Sequence, residues 1–264
     1  MQKIRILALG DVVAKTGVRA LSRHLPKLVA DRSVDFVVVN GENAAGGVGI
    51  TPEIADEMLG LGVHVVTTGN HIWRHREIRP YIAREPRLLR PVNYPPGQPG
   101  AGCGVFETAA GIPIGVVNLV GQVLMNPADS PFHAAEKALA EIGGAAHLVL
   151  VDIHAEVTSE KRALGFFLDG RVTAVVGTHT HVQTADAQIL PRGTAYITDL
   201  GMTGPHDSVI GMRRDIVVDR FLTGLPATFK PGKGGIRIQG VLVTADESTG
   251  LACDVERIDL AVQI

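Results

Sequence analysis

The sequence predicts a layered α/β fold, rich in parallel strands and built as a single domain over residues 1–264. Three observations predict it. Short apolar runs with β-branched residues alternate with stretches of helical spacing, the signature of strands joined by helices. No linker of disordered composition and no fixed-period repeat divides the chain. Five of the apolar runs end in Asp, Asn, Glu or His, and in open α/β sheets ligands collect outside the carboxyl ends of strands.

Taken in order, Ile4 to Leu9 reads as a buried strand ending at Gly10-Asp11. Gly17 to Asp31 carries Val18, Leu21, Leu25, Leu28 and Val29 at helical spacing, with Pro26 as a local defect. Phe36 to Val39 is a second strand, ending in Asn40-Gly41-Glu42-Asn43. The glycines of 45–49 match neither dinucleotide nor P-loop patterns and are expected to form a flexible surface loop. Thr51-Pro52-Glu53 opens a helix, Thr as N-cap and Pro at the first position, running to Gly60 or Gly62. Val63 to Thr68 is a third strand ending in Gly69-Asn70-His71, followed by a helix over Arg74 to Arg84.

Residues 86–104, rich in Pro and Gly, are expected to be irregular. Beyond them come a strand over Ile114 to Leu119, a helix over Ser130 to Glu141, and a strand over Leu148 to Ile153 that ends at His154. A helix-like segment leads to Val172–Val176 and the motif Gly177-Thr178-His179-Thr180-His181. Ala195 to Thr198 is one more short strand, ahead of a glycine-rich turn over 201–205, and Ile236 to Val262 a closing antiparallel pair.

Composition narrows the function. With 25 Lys+Arg against 27 Asp+Glu, the net charge of −2 leaves no general basic footprint for nucleic acid or anionic membrane. The two cysteines, Cys103 and Cys253, form no CxxC pair, so a reduced, cytoplasmic protein with inert thiols is expected. No apolar run reaches the length of a membrane span, and the N-terminal one is too short for a signal peptide.

The strand-end residues are Asp11, Glu42 with Asn43, Asn70 with His71, His154, and His179 with His181. Singly each has an ordinary explanation: a turn Asp, a capping Asn, a satisfied loop His. Five sets at equivalent places is hard to obtain from turn chemistry. Residues at i and i+2 of an extended chain share a side about 6–7 Å apart, so His179 and His181 can serve one metal or two adjacent ones. Imidazole, carboxylate and amide oxygen together suit Fe, Mn or Zn better than Ca or Mg. The number of donors suits two metals, about 3.5–4 Å apart, bridged by a carboxylate. Two divalent ions outweigh the two carboxylates, so the site stays positive and able to bind phosphate.

The segments Gly-Asp-Val-Val (10–13), Asn-Gly-Glu-Asn-Ala-Ala-Gly-Gly (40–47), Thr-Gly-Asn-His (68–71), His-Ala-Glu (154–156), Gly-Thr-His-Thr-His-Val-Gln-Thr-Ala-Asp (177–186) and Asp-Leu-Gly-Met-Thr-Gly-Pro (199–205) resemble the calcineurin-like metallophosphoesterases, most closely their YmdB-like branch. The chain departs from the broader superfamily in having Val13 where a His is usual and Glu42 where Asp commonly bridges. The resemblance implies a four-layer αββα sandwich of two mixed sheets. It implies one metal on Asp11, Glu42, Asn43 and His181, and another on Glu42, Asn70, His154 and His179, either two divalent ions or a mixed-valence pair. It also implies hydrolysis of phosphodiesters, notably 2′,3′-cyclic nucleotides, by a metal-bridging hydroxide in a cytoplasmic homo-oligomer acting on small nucleotides or RNA ends. His71 is then expected to be the general acid, or else to orient Asn70. Thr203 and Gly204 are expected either to offer backbone N–H groups to a phosphate or to form a plain turn. Rival readings are a metal-dependent phosphomonoesterase and a regulatory module that binds nucleotide or RNA without turnover.

Overall fold

A computed structural model describes residues 2–264. In chain order the strands and helices are β1 (Lys3–Leu9), β2 (Asp11–Val12), α1 (Ala14–Arg32), β3 (Phe36–Asn40), α2 (Pro52–Gly60), β4 (Val65–Thr67), α3 (Ile78–Ile82), β5 (Cys103–Glu107), β6 (Pro113–Val120), α4 (Pro131–Ile142), β7 (Leu148–His154), α5 (Thr158–Leu168), β8 (Ala174–Thr178), β9 (Gln188–Ile189), β10 (Ala195–Ile197), β11 (Met202–Pro205), α6 (Arg214–Thr223), β12 (Ile236–Asp246) and β13 (Ala252–Ala261).

These strands form two mixed sheets, not the single parallel-rich sheet read from periodicity. The first runs β2-β11-β12-β1-β3-β4 with β13 beside β12; the second runs β5-β6-β7-β8-β10-β9. In the first, β1, β3 and β4 are parallel and β12 antiparallel to β1. The second has a parallel centre with antiparallel edges β5 and β9.

Strand alternation explains the layering. Ile4, Ile6 and Ala8 of β1, with Phe36 and Val38 of β3, share one core with Val116, Leu150 and Val176 of the second sheet. Leu7, Leu9, Val37 and Val39 point the other way, onto Leu21 and Leu25 of α1 and Met58 of α2. On the far side, Val117, Val151 and Val175 meet Ala135 of α4 and Leu164 of α5. Three apolar layers therefore separate four layers of structure in the order αββα. A one-sheet reading fails because strands buried on both faces look alike whichever sheet they join.

Several elements differ from expectation. α3 has only five residues because Pro80 would clash with the preceding turn if the helix began at Arg74; starting at Ile78, it lies in the first turn, where no N–H is needed. The 45–49 loop is a packed turn: Gly46, Gly47 and Gly49 have positive φ, Ala44 and Ile50 are buried, and a Cβ on Gly49 would lie 2.6 Å from His75. The expected turn over 201–205 contains the strand β11. The edge strands β2, β5 and β9 and helix α6 have no equivalent in the sequence reading, being too short or too weakly patterned to stand out.

Candidate metal centre

The strand ends of both sheets meet at one point. Register brings His154 level with Val120 and Thr178, and Asn40 level with Thr67. The first sheet contributes Asp11, Glu42, Asn43 and Asn70; the second contributes His154, His179 and His181. Acids and amides thus come from one side of the seam and imidazoles from the other.

Two groups form there. Asp11 Oδ1 lies 3.5 Å from His181 Nε2 and accepts a hydrogen bond from Asn43 Nδ2 at 3.2 Å. Asn43 Nδ2 is also 3.1 Å from His181 Nε2 and 3.4 Å from Glu42 Oε1. In the second group, His154 Nε2 lies 2.9 Å from Glu42 Oε1, 3.1 Å from Asn70 Oδ1 and 3.0 Å from His179 Nδ1. Glu42, His154 and His179 each offer a ligand atom within 4.8 Å of the others. Glu42 touches both groups.

Proton bookkeeping shows what this arrangement wants. The Thr178 hydroxyl lies 2.7 Å from Asp152 Oδ1 and 3.0 Å from His154 Nδ1. A hydroxyl has one proton, and the carboxylate takes it. Thr178 must then accept from His154 Nδ1–H, which leaves Nε2 with its lone pair exposed to the site. His179 Nε2 faces Glu156 Oε2 at 3.2 Å, so its proton sits there and Nδ1 also presents a lone pair. Two imidazole lone pairs, a carboxylate and an amide oxygen converge with nothing to donate between them. That donor set fits a divalent transition metal.

Electrostatics agree. Burial disfavours a charged His154, yet Glu42, with Asp11 and Asp152, raises its pKa; the site draws a proton to the place a cation would take. Burial likewise opposes charge on His181, but Asp11 carries it up to about 9. Burial would raise Asp11 and Glu42; His181 beside the first and His154 beside the second hold both below the usual carboxylate range. His179 falls to about 4 through burial and then repulsion from His154.

The two histidines of the motif are not on an extended chain as expected. His179 has φ 100° and His181 φ 63°, left-handed conformations that cost about 1–3 kcal/mol each and persist only where surroundings impose them. The two rings therefore address different groups, His179 turning to His154 and His181 to Asp11. The motif is held at both histidines: the His179 backbone N–H donates to Asp11 Oδ2 at 3.1 Å, and the His181 ring donates from Nδ1 to the Ile210 carbonyl at 2.9 Å.

His71 sits at the rim with its side chain about a third exposed. Its backbone N–H donates to Glu42 Oε2 at 3.0 Å, and Nδ1 lies 2.9 Å from Asn43 Oδ1. Its polar neighbour is thus Asn43 rather than Asn70, which faces His154. Asn43 turns its amide oxygen to His71 and its nitrogen to Asp11 and His181.

Val13 is packed with Ala14, Met202 and Met212. Thr203 and Gly204 are in a strand rather than the expected turn. They lie in β11 between β2 and β12, both buried; a Cβ on Gly204 would stand 3.2 Å from Val13 Cβ. The Thr203 hydroxyl is enclosed without a hydrogen-bond partner.

Sequence reasoning missed the layer behind the donors. Asp152 is fully buried, accepts from Thr67 Oγ1 at 2.5 Å, from Asn40 Nδ2 at 3.2 Å and from Thr178, and burial pushes its pKa up to about 6. A charge in the middle of the apolar run 148–153 was the available signal. Ile210 gave none.

A family model described as YmdB-like protein matches residues 7–258. The chain is 45% identical over 255 residues to the 2′,3′-cyclic-nucleotide 2′-phosphodiesterase of Bacillus subtilis (strain 168), covering 97% of this chain and 96% of that protein. Its fold superposes on the crystal structure of a hypothetical protein from Thermus thermophilus with a TM-score of 0.90 and 42% identity, covering 98% and 99% of the two chains. It also superposes on that of a novel phosphatase from Mycoplasma pneumoniae with a TM-score of 0.92 and 34% identity, covering 99% and 94%.

Proposed function

Since the chain belongs to the YmdB-like protein family, we propose that it is a dinuclear-metal phosphodiesterase acting on 2′,3′-cyclic nucleotides at the 2′ bond. The observation that carries this is the convergence of proton-free donors from both sheets, in a chain 45% identical to a relative named for that activity. Asp11, Glu42, Asn43 and His181 would hold one ion, and Glu42, Asn70, His154 and His179 the other. Fe and Mn are the favoured metals and Zn an acceptable one. When bound, the ions supply the charge that binds phosphate and activates water. Asn43 would ligate through Oδ1 by turning its amide over.

In this reading His71 supplies a proton to the leaving alkoxide. With the Asn43 amide turned over, its Nδ2–H faces His71 Nδ1, now 2.9 Å from the amide oxygen, so the transferable proton sits on Nε2 at the open rim. The enzyme would work in the cytoplasm. Among the described residues, no helix is long and apolar enough to cross a membrane. A homo-oligomer would cover Phe221 and Leu222 of α6, both more than 80% exposed.

His71→Ala tests the mechanism. A ribose alkoxide needs its proton as the bond breaks; p-nitrophenolate does not. The variant should lose about 10²–10⁴-fold on a 2′,3′-cyclic nucleotide and far less on bis(p-nitrophenyl) phosphate, with metal content unchanged. Equal losses on both substrates would refute the acid role. The Mycoplasma pneumoniae neighbour, described as a phosphatase, favours a monoester as the second reading; turnover of a nucleoside monophosphate above that of the cyclic diester would establish it.

A further inference from the structure

The strained motif needs a holder, and the side chains behind it supply one. Thr180, between the two left-handed histidines, donates both its N–H (3.1 Å) and its hydroxyl (2.8 Å) to Asp199 Oδ2. The other oxygen of Asp199 accepts Gly201 N–H at 2.8 Å. A carboxylate loaded this way is buried, and its countercharge is Lys161 of α5. Lys161 Nζ lies 2.8 Å from Asp199 Oδ2 and donates to the Thr178 carbonyl at 2.7 Å. Lys161 has no exposed surface, which is rare for lysine and requires a partner.

The path of the lysine stem explains a glycine of the motif. A Cβ on Gly177 would lie 2.8 Å from Lys161 Cδ and collide with the Thr198 carbonyl. Only glycine lets the stem pass between β8 and β10 to reach the loop. Helix, lysine, aspartate and Thr180 thus form one strut that ends between the two ligands. Through Thr178 the strut also reaches the residue whose hydroxyl sets the proton on His154.

We propose that Lys161 and Asp199 are positioning residues, a buried ion pair that holds residues 178–181 in the conformation presenting His179 and His181 to the metals. The proposal rests on the two-metal reading above. Neither residue touches the donors' ligand atoms; both act through Thr178 and Thr180. Holding the motif in advance removes the need to order it when metal arrives, so the pair should matter to affinity and not only to the fold.

The test is Mn²⁺ binding to chelator-stripped protein, followed by the EPR signal of free Mn²⁺, together with thermal melts. Lys161→Met keeps the stem and removes the charge. Leu164→Ala, one turn along the same helix in the apolar layer, destabilises without touching the strut. Both variants should melt lower. Lys161→Met should weaken Mn²⁺ about 10–100-fold, the range for residues that orient ligands, while Leu164→Ala keeps wild-type affinity. Equal affinity in all three, or equal weakening in both variants, overturns the proposal. Should Lys161→Met not fold, Lys161→Met/Asp199→Asn removes both charges; weakened binding supports the strut and wild-type binding overturns it. Failure of the wild type itself to bind Mn²⁺ would overturn the two-metal reading and the strut together.

Discussion

Thr178→Val removes one hydroxyl and nothing of the shape, and its consequences follow from two distances. The oxygen lies 2.7 Å from Asp152 and 3.0 Å from His154 Nδ1, both fully buried. Losing it strips Asp152 of one of three donors and leaves His154 Nδ1–H facing a methyl group. An orphaned buried donor costs about 1–3 kcal/mol, and a lost hydrogen bond to a charged group about 1.5–3 kcal/mol. The ring can escape the first penalty by moving its proton to Nε2, toward Glu42, but that blocks the lone pair a metal requires. The variant should therefore lose about 2–4 kcal/mol in urea unfolding and bind Mn²⁺ about 10–100-fold more weakly. Thr67→Val is the matched control, since its hydroxyl serves Asp152 without meeting His154. It should lose stability and keep its metal. If Thr178→Val binds Mn²⁺ with wild-type affinity, the assignment of the His154 proton is wrong.

Three further outcomes are expected. Glu42→Gln removes charge and an oxygen from both ligand groups, so metal analysis of the purified variant should show both ions weakened; two tightly held ions with full turnover would dismiss the bridge. Gly204→Ala crowds Val13 in a buried strand, so differential scanning calorimetry should show a lower Tm while KM for the cyclic diester holds; a raised KM would instead establish the phosphate contact. His181 carries its proton up to about 9 against an ordinary 6.5, so its stabilisation of chelator-stripped protein is fully present below pH 6.5 and fades as pH rises through about 9. Metal must displace that proton, so Mn²⁺ affinity should climb by about one decade per pH unit between pH 7 and 8.5. A flat profile in a titration series would contradict it.

The donors were legible because ligands follow strand ends, and strands such as Ile4–Leu9 and Leu148–Ile153 announce themselves as apolar runs. Sheet membership was not legible, since β1 and β7 carry equally apolar runs yet lie in different sheets. The supporting residues escaped for a different reason. Lys161 sits in a helix where lysine ordinarily faces water, and only the passage at Gly177 turns it inward. Asp152 was visible as an anomaly in an apolar run, but its use depends on Thr67 and Asn40 from the other sheet, a pairing no spacing along the chain encodes. Thr203 and Gly204 looked like a turn because glycine and proline flank them, and pairing with β2 and β12 overrode that local preference.

The division of the centre between the two sheets bears on how the protein matures. One sheet brings carboxylates to the seam and the other brings imidazoles, so opposite charges face each other as soon as the sheets pack and His181, raised to about 9, takes up its proton beside Asp11. The seam can close on protons alone. In the two-metal reading, assembly of the fold and acquisition of metal would be separable events, the second an exchange of cations. Supply of metal would govern when the protein becomes active, without governing whether it folds.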